Sequence, residues 1–185
     1  MALPVPSADP DDADLAQYFT VCREKLGFVP NVLRAYQSRP RKLATFVAAY
    51  NELMLGDSGL TKLEREMIAV VVSSANHCYY CLVAHGQAVR RLSGDPQLGE
   101  MLVMNYRVAP LHPRHRVMLD FAWDMTVNPA GVDSDARRDD LAKAGFSHDE
   151  IFDICDVIGF FNMSNRVAIG TDMMPNADYH TMDRG

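Results

Sequence analysis

The sequence lacks the features that assign a chain to several large classes of protein. No uninterrupted apolar run reaches about eighteen residues, so we expect no transmembrane helix and no membrane partner. The formal net charge is −6, which gives no electrostatic reason to expect nucleic acid as a partner. The N-terminal segment, residues 1–13, has neither the basic nor the apolar region of a signal peptide. Glycine-rich phosphate loops, internal repeats and low-complexity tracts are also missing.

Cysteine is scarce as well. Four cysteines in 185 residues do not suggest the disulfide scaffold that is typical of small secreted proteins. Only Cys78 and Cys81 lie close together in sequence, and we expect Cys22 and Cys155 to serve packing. A reducing cytoplasm and a catalytic thiol pair are the simplest interpretation of this cysteine content.

What the chain does contain is a Cys-x-x-Cys pair followed by a histidine. Cys78, Cys81 and His85 are spaced by three and then four residues, which puts them on one face of a helix. Asn76 is a candidate N-cap for that helix. Cys78 would then lie in the first turn, where free amide groups and the helix dipole favour a thiolate. His85 could accept a thiol proton directly or through water.

A second helix is predicted just before this one. Thr61 and Glu64 have the spacing of a capping box, and an apolar run follows from Met67 to Val72. Glu66 lies in the first turns of this helix. It can reach the cysteine pair if the chain reverses between Ser73 and Asn76.

The cysteine pair has two other interpretations. It could be half of a zinc site, or it could be two inert core thiols. The chain has no second Cys-x-x-Cys and no histidine pair at zinc-finger spacing, and His85 adds weight to redox chemistry. We therefore predict no metal and no cofactor.

The remaining sequence predicts helices and turns. Apolar residues recur at helical spacing and caps bound the segments, so the predicted class is all-α, a single domain in a homo-oligomer. We divide the chain into an N-terminal arm (1–13), a helical domain (14–174) and a polar tail (175–185) that can wrap a neighbouring subunit. The other predicted helices are 15–26, 30–36, 41–55, 96–105, 113–127, 134–145 and 148–170.

The pattern Glu-x11-Cys-x2-Cys-x3-His resembles the AhpD-like alkylhydroperoxidases of the carboxymuconolactone decarboxylase superfamily. The sequence around this pattern is closer still to the peroxidase-related branch of that superfamily. The likeness lies in GFVPNVLRAY (27–36), LEREMIAVVVSSANHCYYCLVAHG (63–86), AGFSHDEI (144–151) and FFNMSNRVAIG (160–170). It implies an all-helical homo-oligomer with peroxidase activity at the cysteine pair.

The resemblance also implies roles for individual residues. Cys81 matches the cysteine that attacks the peroxide, Cys78 the resolving cysteine, and His85 and Glu66 match members of a proton relay. The chain departs from the better-studied members at Tyr80, where they carry a histidine. Tyrosine has an ordinary pKa of about 10, against about 6.5 for histidine, and is a poor base at neutral pH.

The predicted function is thus a thiol-dependent peroxidase that reduces a small peroxide and is reset by an unknown dithiol reductant. Two alternatives stay open: a cofactor-free acid–base enzyme of the decarboxylase type, and a non-enzymatic redox-sensing oligomer. Within the pair, we expect Cys81 to be the more acidic thiol because of His85. The roles of Asn162, Asn165 and Arg166 are open between the active site and an interface.

Overall fold

The computed structural model describes residues 5–132 and 135–184. Within these residues the fold is all-helical, without a β-strand, as the sequence predicts. The α-helices are α1 (Ala13–Leu26), α2 (Asn31–Tyr36), α3 (Pro40–Leu55), α4 (Lys62–Ala75), α5 (Tyr79–Ser93), α6 (Pro96–Asn105), α7 (Pro113–Val127), α8 (Asp135–Lys143) and α9 (His148–Gly170). Short 3-10 turns cover Tyr106–Val108, Pro129–Val132 and Ala177–His180.

The helix ends follow the predicted capping residues. The capping box predicted at Thr61 and Glu64 begins α4 and is confirmed, and a second capping box, Ser147 with Glu150, begins α9. Gly27 ends α1 at a φ of 86°, a left-handed conformation that glycine adopts without a side-chain clash. The predicted start of the eighth helix at Ser134 lies outside the described residues.

Helix α4 is the centre of the molecule. It packs against α5, α6, α7 and α9, so it has no solvent face over its middle turns. Every side chain from Met67 to Val72 is at most 1% exposed. This explains why the apolar residues of α4 form a continuous run in the sequence instead of a stripe along one face of the helix. A polar side chain on this helix therefore lies in the protein interior.

A second, smaller core joins α1, α2 and α3. Its buried residues are Leu15, Phe19, Cys22, Val29, Leu33, Leu43 and Phe46. Cys22 packs here as predicted, and Cys155 packs, half-buried, against the main core around α4. Phe160 of α9 contacts both cores, so the N-terminal helices are joined to the bundle through aromatic rings.

The two ends of the chain lie against the helices. Asp9 forms ion pairs with Arg23 and Arg34, at 2.5 and 3.2 Å. The tail lies along α5 of its own chain, where Arg90 Nη2 donates to the Tyr179 carbonyl at 2.9 Å. The described part of the tail thus packs on its own subunit, and its contact with a neighbouring subunit stays a prediction. The domain boundaries and the oligomer stay predictions. Among the described residues, no helix is long and apolar enough to cross a bilayer.

Candidate active site

The turn between α4 and α5 builds the centre of the candidate site. His77 adopts a left-handed conformation, φ 55°, and the Cys78 N–H donates to the Ser73 carbonyl at 2.9 Å. The chain reverses here, as predicted for 73–76. The N-cap prediction was wrong: Cys78 is the N-cap of α5, and Asn76 ends α4. The reason is that the reversal at His77 delays the start of α5 by two residues.

The reversal brings Glu66 to His85. The Glu66 Oε2 lies 2.6 Å from His85 Nδ1, and both side chains are largely buried. The ring of Phe161 packs edge-on against the imidazole, with centroids 4.6 Å apart. With Nδ1 facing the carboxylate, the orientation of the ring is fixed, and Nε2 makes no hydrogen bond to the described residues. The Glu66–His85 pair is therefore suited to moving protons through Nε2.

The two cysteines lie in unequal environments. The hydrogen bond from the Cys81 thiol, the N–H groups of Cys81 and Tyr80 and the nearby His85 outweigh burial, and they lower the pKa of Cys78 to about 7. The same hydrogen bond and burial raise the pKa of Cys81 well above its ordinary value. All four cysteines are free thiols.

This order reverses our expectation that Cys81 is the more acidic thiol. As the N-cap residue, Cys78 lies next to the unpaired amides of the first turn, which stabilise a negative charge. Cys81 lies one turn into the helix and serves as the donor within the pair. Of the two thiols, Cys78 is therefore the one favoured as a thiolate.

A buried amide network lies behind the cysteines. Asn76 Nδ2 donates to Asn165 Oδ1 at 3.0 Å and to Asn162 Oδ1 at 3.1 Å. Because Asn76 needs an oxygen as its acceptor, the Asn165 amide cannot flip, and its NH₂ group faces the other way. There it donates to Ser73 Oγ at 3.1 Å and also to Cys81, which favours a Cys81 thiolate.

The hydrogen bonds of this network bear on Asn162, Asn165 and Arg166, whose roles the sequence left open. Asn165 is fully buried and contacts a cysteine, so it belongs to the site. Arg166 is exposed and bonds only to Asn162 among the hydrogen bonds described, and Asn162 supports Asn76. Ser73 was missed by sequence reasoning; a serine within the apolar run of a buried helix was the available signal.

One face of the cysteine pair opens into a cavity of about 620 Å³. Glu66, Cys81 and His85 line it, whereas Cys78 does not. The opposite walls come from α1, α3 and α9. Their larger side chains are apolar or aromatic and include Tyr18, Phe46, Tyr50, Met54 and Phe160. Cys81 is therefore the thiol that a molecule in the cavity would meet.

Tyr80 fills the place of the family's usual histidine and has a structural contact. The backbone N–H of Val32 on α2 donates to its hydroxyl oxygen at 3.0 Å. Burial raises the pKa of Tyr80 well above its ordinary value, so the phenol stays protonated. Tyr80 connects the start of α5 to α2 and does not replace the missing base.

The histidines His112 and His115 lie at the start of α7. His112 Nδ1 accepts from the Arg114 N–H at 3.2 Å, which is a capping contact. His115 lies 3.4 Å from Glu64, whose hydrogen bonds from His115 and Thr61 outweigh burial and lower its pKa to about 2. Among residues 5–132 and 135–184, no three His, Cys, Asp or Glu side chains are grouped as a metal site.

Comparison with known proteins places this site in a family. The model of the carboxymuconolactone decarboxylase family matches residues 41–98, which contain α3, α4 and α5. The chain is 63% identical to a peroxidase-related protein from Silicibacter sp. TM1040, over 99% of this chain and 95% of the other, with a TM-score of 0.94. The chain belongs to the AhpD/carboxymuconolactone decarboxylase superfamily. The family resemblance noted in the sequence is thereby confirmed.

Two further solved structures extend the comparison. A peroxidase-related protein from Ralstonia eutropha JMP134, described as an alkylhydroperoxidase AhpD core, is 40% identical over 100% of this chain and 96% of the other, with a TM-score of 0.93. The debrominase Bmp8, solved as a cysteine-to-alanine variant with 2,3,4-tribromopyrrole, shares the fold at 19% identity. That match covers 95% of this chain and 94% of the other, with a TM-score of 0.78. No curated protein matches the chain significantly. Members of the superfamily are enzymes, and their activities differ.

Proposed function

We propose that the chain is a thiol-dependent peroxidase in which Cys81 attacks the peroxide and Cys78 resolves the product. One observation carries this proposal. The Cys81 thiol, hydrogen-bonded to Cys78, faces the cavity that also holds the Glu66–His85 pair. The nucleophile Cys81 and the proton donor His85 thus line one space that is large enough for an organic peroxide, and the proton acceptor Cys78 lies next to Cys81 outside that space.

The first step transfers one oxygen atom from the peroxide to Cys81 and moves two protons. Cys81 passes its proton to the Cys78 thiolate, and the Asn165 amide stabilises the Cys81 thiolate that results. The thiolate sulfur attacks the nearer peroxide oxygen, and the O–O bond breaks. The leaving alkoxide takes a proton from the His85 imidazolium, whose orientation Glu66 fixes. The products are an alcohol and a Cys81 sulfenic acid.

The second step closes the disulfide. The Cys78 sulfur attacks the sulfur of the sulfenic acid, and its thiol proton leaves with the hydroxyl group as water. The pair has then lost two electrons, and the peroxide has become an alcohol and water. An external dithiol reductant restores both thiols by thiol–disulfide exchange. No cofactor or metal enters this scheme.

The decisive experiment is oxidation of the fully reduced protein with one equivalent of cumene hydroperoxide in the absence of air. We expect a bridge between Cys78 and Cys81 in a peptide map by mass spectrometry, with Cys22 and Cys155 as free thiols. Four unreacted thiols, or a dominant bridge to Cys22 or Cys155, would refute the proposal. Homo-oligomer formation and a cytoplasmic location remain part of the proposal and need sedimentation and fractionation.

Cysteine-to-serine substitution separates this function from its alternatives. A peroxidase loses turnover in Cys81→Ser. A cofactor-free acid–base enzyme of the decarboxylase type would retain its turnover, because Glu66 and His85 are intact. A redox-sensing oligomer would lose only a change in assembly that depends on oxidant.

A second candidate, reductive dehalogenation of a small aromatic compound, is favoured by the size and aromatic walls of the cavity. Bmp8 is a debrominase with the same fold. In such a reaction the two thiols would supply two electrons, the carbon–bromine bond would become carbon–hydrogen, and bromide would leave. Release of bromide from 2,3,4-tribromopyrrole by the reduced protein, without turnover of any peroxide, would favour it.

A further inference from the structure

The cavity has a positive rim on a chain that is negative as a whole. Lys25 of α1, Lys62 of α4 and Arg91 of α5 all line it, and all three are exposed. None of them forms an ion pair with another described residue. Among the lining residues the only carboxylate is Glu66, which is bonded to His85. The rim therefore has three positive charges without an ion pair among the described residues, although the net charge is −6.

The helical geometry separates part of this charge from the thiols. Helices α4 and α5 run antiparallel, because Glu66 faces His85 and Ser73 faces Cys78. The same pairing puts Lys62 beside the last turns of α5, which carry Arg91. Ten residues separate Cys81 from Arg91 along α5, about 15 Å at the rise of an α-helix. Lys62 and Arg91 thus lie at the end of the cavity remote from Cys81.

The surface between the two ends is mainly apolar. Tyr50 and Met54 of α3, Phe160 and Phe161 of α9 and Ala88 of α5 line it. Tyr50 and Phe160 pack with ring centroids 6.3 Å apart. A ligand that satisfies both ends has an anionic group at one end and an apolar body that reaches toward Cys81.

We propose that this cavity binds an amphipathic organic anion, and that the substrate is an organic hydroperoxide bearing a carboxylate. The carboxylate lies at Lys62 and Arg91, the apolar body fills the cavity, and the peroxide group reaches Cys81. The peroxide part rests on the proposed function; the anion site does not. The bound hydroperoxide would then react with Cys81 by the peroxidase steps of the proposed function.

Calorimetry on the reduced, unmodified protein tests the anion site without any turnover. The probes are 4-phenylbutyrate and its uncharged analogue 4-phenylbutanol. We expect the acid to bind about tenfold more tightly at low salt and to lose most of that advantage in high salt. Lys62→Gln and Arg91→Gln should each weaken acid binding about threefold and leave the alcohol unchanged.

The matched control is Lys42→Gln, which removes the same charge from an exposed residue of α3 that does not line the cavity. It should bind both probes as the unmodified protein does. Equal affinity for the acid and the alcohol overturns the inference. An equal loss of acid binding in Lys42→Gln also overturns it, because general charge would then explain the effect.

A kinetic comparison keeps the two proposals apart. The reduced protein is mixed with hydrogen peroxide, with a fatty-acid hydroperoxide, and with the methyl ester of that hydroperoxide. We expect the acid to react faster than the ester, and the difference to disappear in Lys62→Gln/Arg91→Gln. Reaction of acid and ester at one rate refutes the anionic substrate alone. Failure of all three refutes the peroxidase, and the calorimetry still decides the anion site.

Discussion

The two walls of the cavity differ in what they contribute. The wall made by α4 and α5 carries Glu66, Cys81 and His85, whose contacts are hydrogen bonds of defined direction. The wall made by α1 and α3 carries aromatic and aliphatic side chains such as Phe46, which contacts rings at 4.9 to 6.4 Å. The first wall is set up for chemistry, and the second offers mainly apolar surface, with Lys25 at its rim.

Cys22 and Cys81 show what this difference means, because both line the same cavity. Burial raises the pKa of Cys22, and the cations Arg23 and Lys25 offset it only in part. Cys81 is also buried, yet it has Cys78, Ser73 and Asn165 as partners. Cys22 and Cys81 therefore both line the cavity. What distinguishes the reactive Cys81 from the packing Cys22 is its hydrogen-bonding partners.

The sharpest test replaces one thiol on each wall. Cys81→Ser should lower peroxide turnover by about 10³-fold or more, because a serine hydroxyl is not ionised at neutral pH. Cys22→Ser is the matched control and should keep turnover within about twofold. Both are measured by steady-state peroxide consumption with a dithiol reductant. Loss of activity in Cys22→Ser would mean that the apolar wall takes part in the chemistry.

Removal of the Glu66 charge is the next largest expected effect. Glu66→Gln keeps the size of the side chain but cannot hold a positive imidazole, so turnover should fall about 10²-fold. Glu52→Gln, a change of the same kind at an exposed residue of α3, should have no effect. The pH–rate profiles of the two variants check this. An unchanged profile for Glu66→Gln would remove Glu66 from the proton relay.

Asn165→Leu tests the support behind the reactive wall. It leaves an Asn76 donor without its Asn165 acceptor, and this should lower the free energy of unfolding by about 1–3 kcal/mol in urea. It also removes the donor to Cys81. In a Cys78→Ser background, alkylation of Cys81 should therefore move to higher pH. Asn162→Leu should leave that profile in place; equal shifts would show a purely structural role for both amides.

Phe46→Ala acts on the opposite wall. The ring is 9% exposed and stacks on Tyr36, so its loss should cost about 3–5 kcal/mol of unfolding free energy. We expect KM for cumene hydroperoxide to rise about tenfold, while the single-turnover rate with hydrogen peroxide stays the same. Phe152→Ala, at an exposed position, is the control. A slower reaction with hydrogen peroxide would contradict the division between the walls.

The smallest expected effect is on the pH at which the Cys78 thiol ionises. The pKa of Cys78 is about 7, below its ordinary value, so its thiolate should appear in ultraviolet absorbance with a midpoint near pH 7. Since folding lowers this pKa, the thiolate stabilises the fold at high pH. That contribution is lost as the pH falls through about 7. His85→Ala should move the midpoint upward slightly, and a midpoint at the ordinary value would contradict the lowered pKa of Cys78.

Most of the fold could be predicted from the sequence, because its signals are local. The capping boxes at Thr61 and Ser147 and the left-handed glycine at Gly27 each depend on a few neighbouring residues. The pairing of Glu66 with His85 could also be predicted once a turn was placed between their helices.

The acidity of the thiols could not be predicted in the same way. It depends on whether Cys78 lies before or inside the first turn, and His77 decides that through one backbone angle. The contact of Asn165 with Cys81 joins residues of α9 and α5 and needs the tertiary structure. The cavity is lined by residues of six α-helices, and no single segment indicates its size or its positive rim.

The short segment that carries the reactive wall has an evolutionary consequence. Glu66, Cys78, Cys81 and His85 all lie within α4, α5 and their turn, inside the stretch 41–98 that the family model matches. The cavity residues of α1 and α9 lie outside that stretch. Mutations in α1 can therefore alter what the cavity admits without changing the segment that carries the two cysteines, Glu66 and His85.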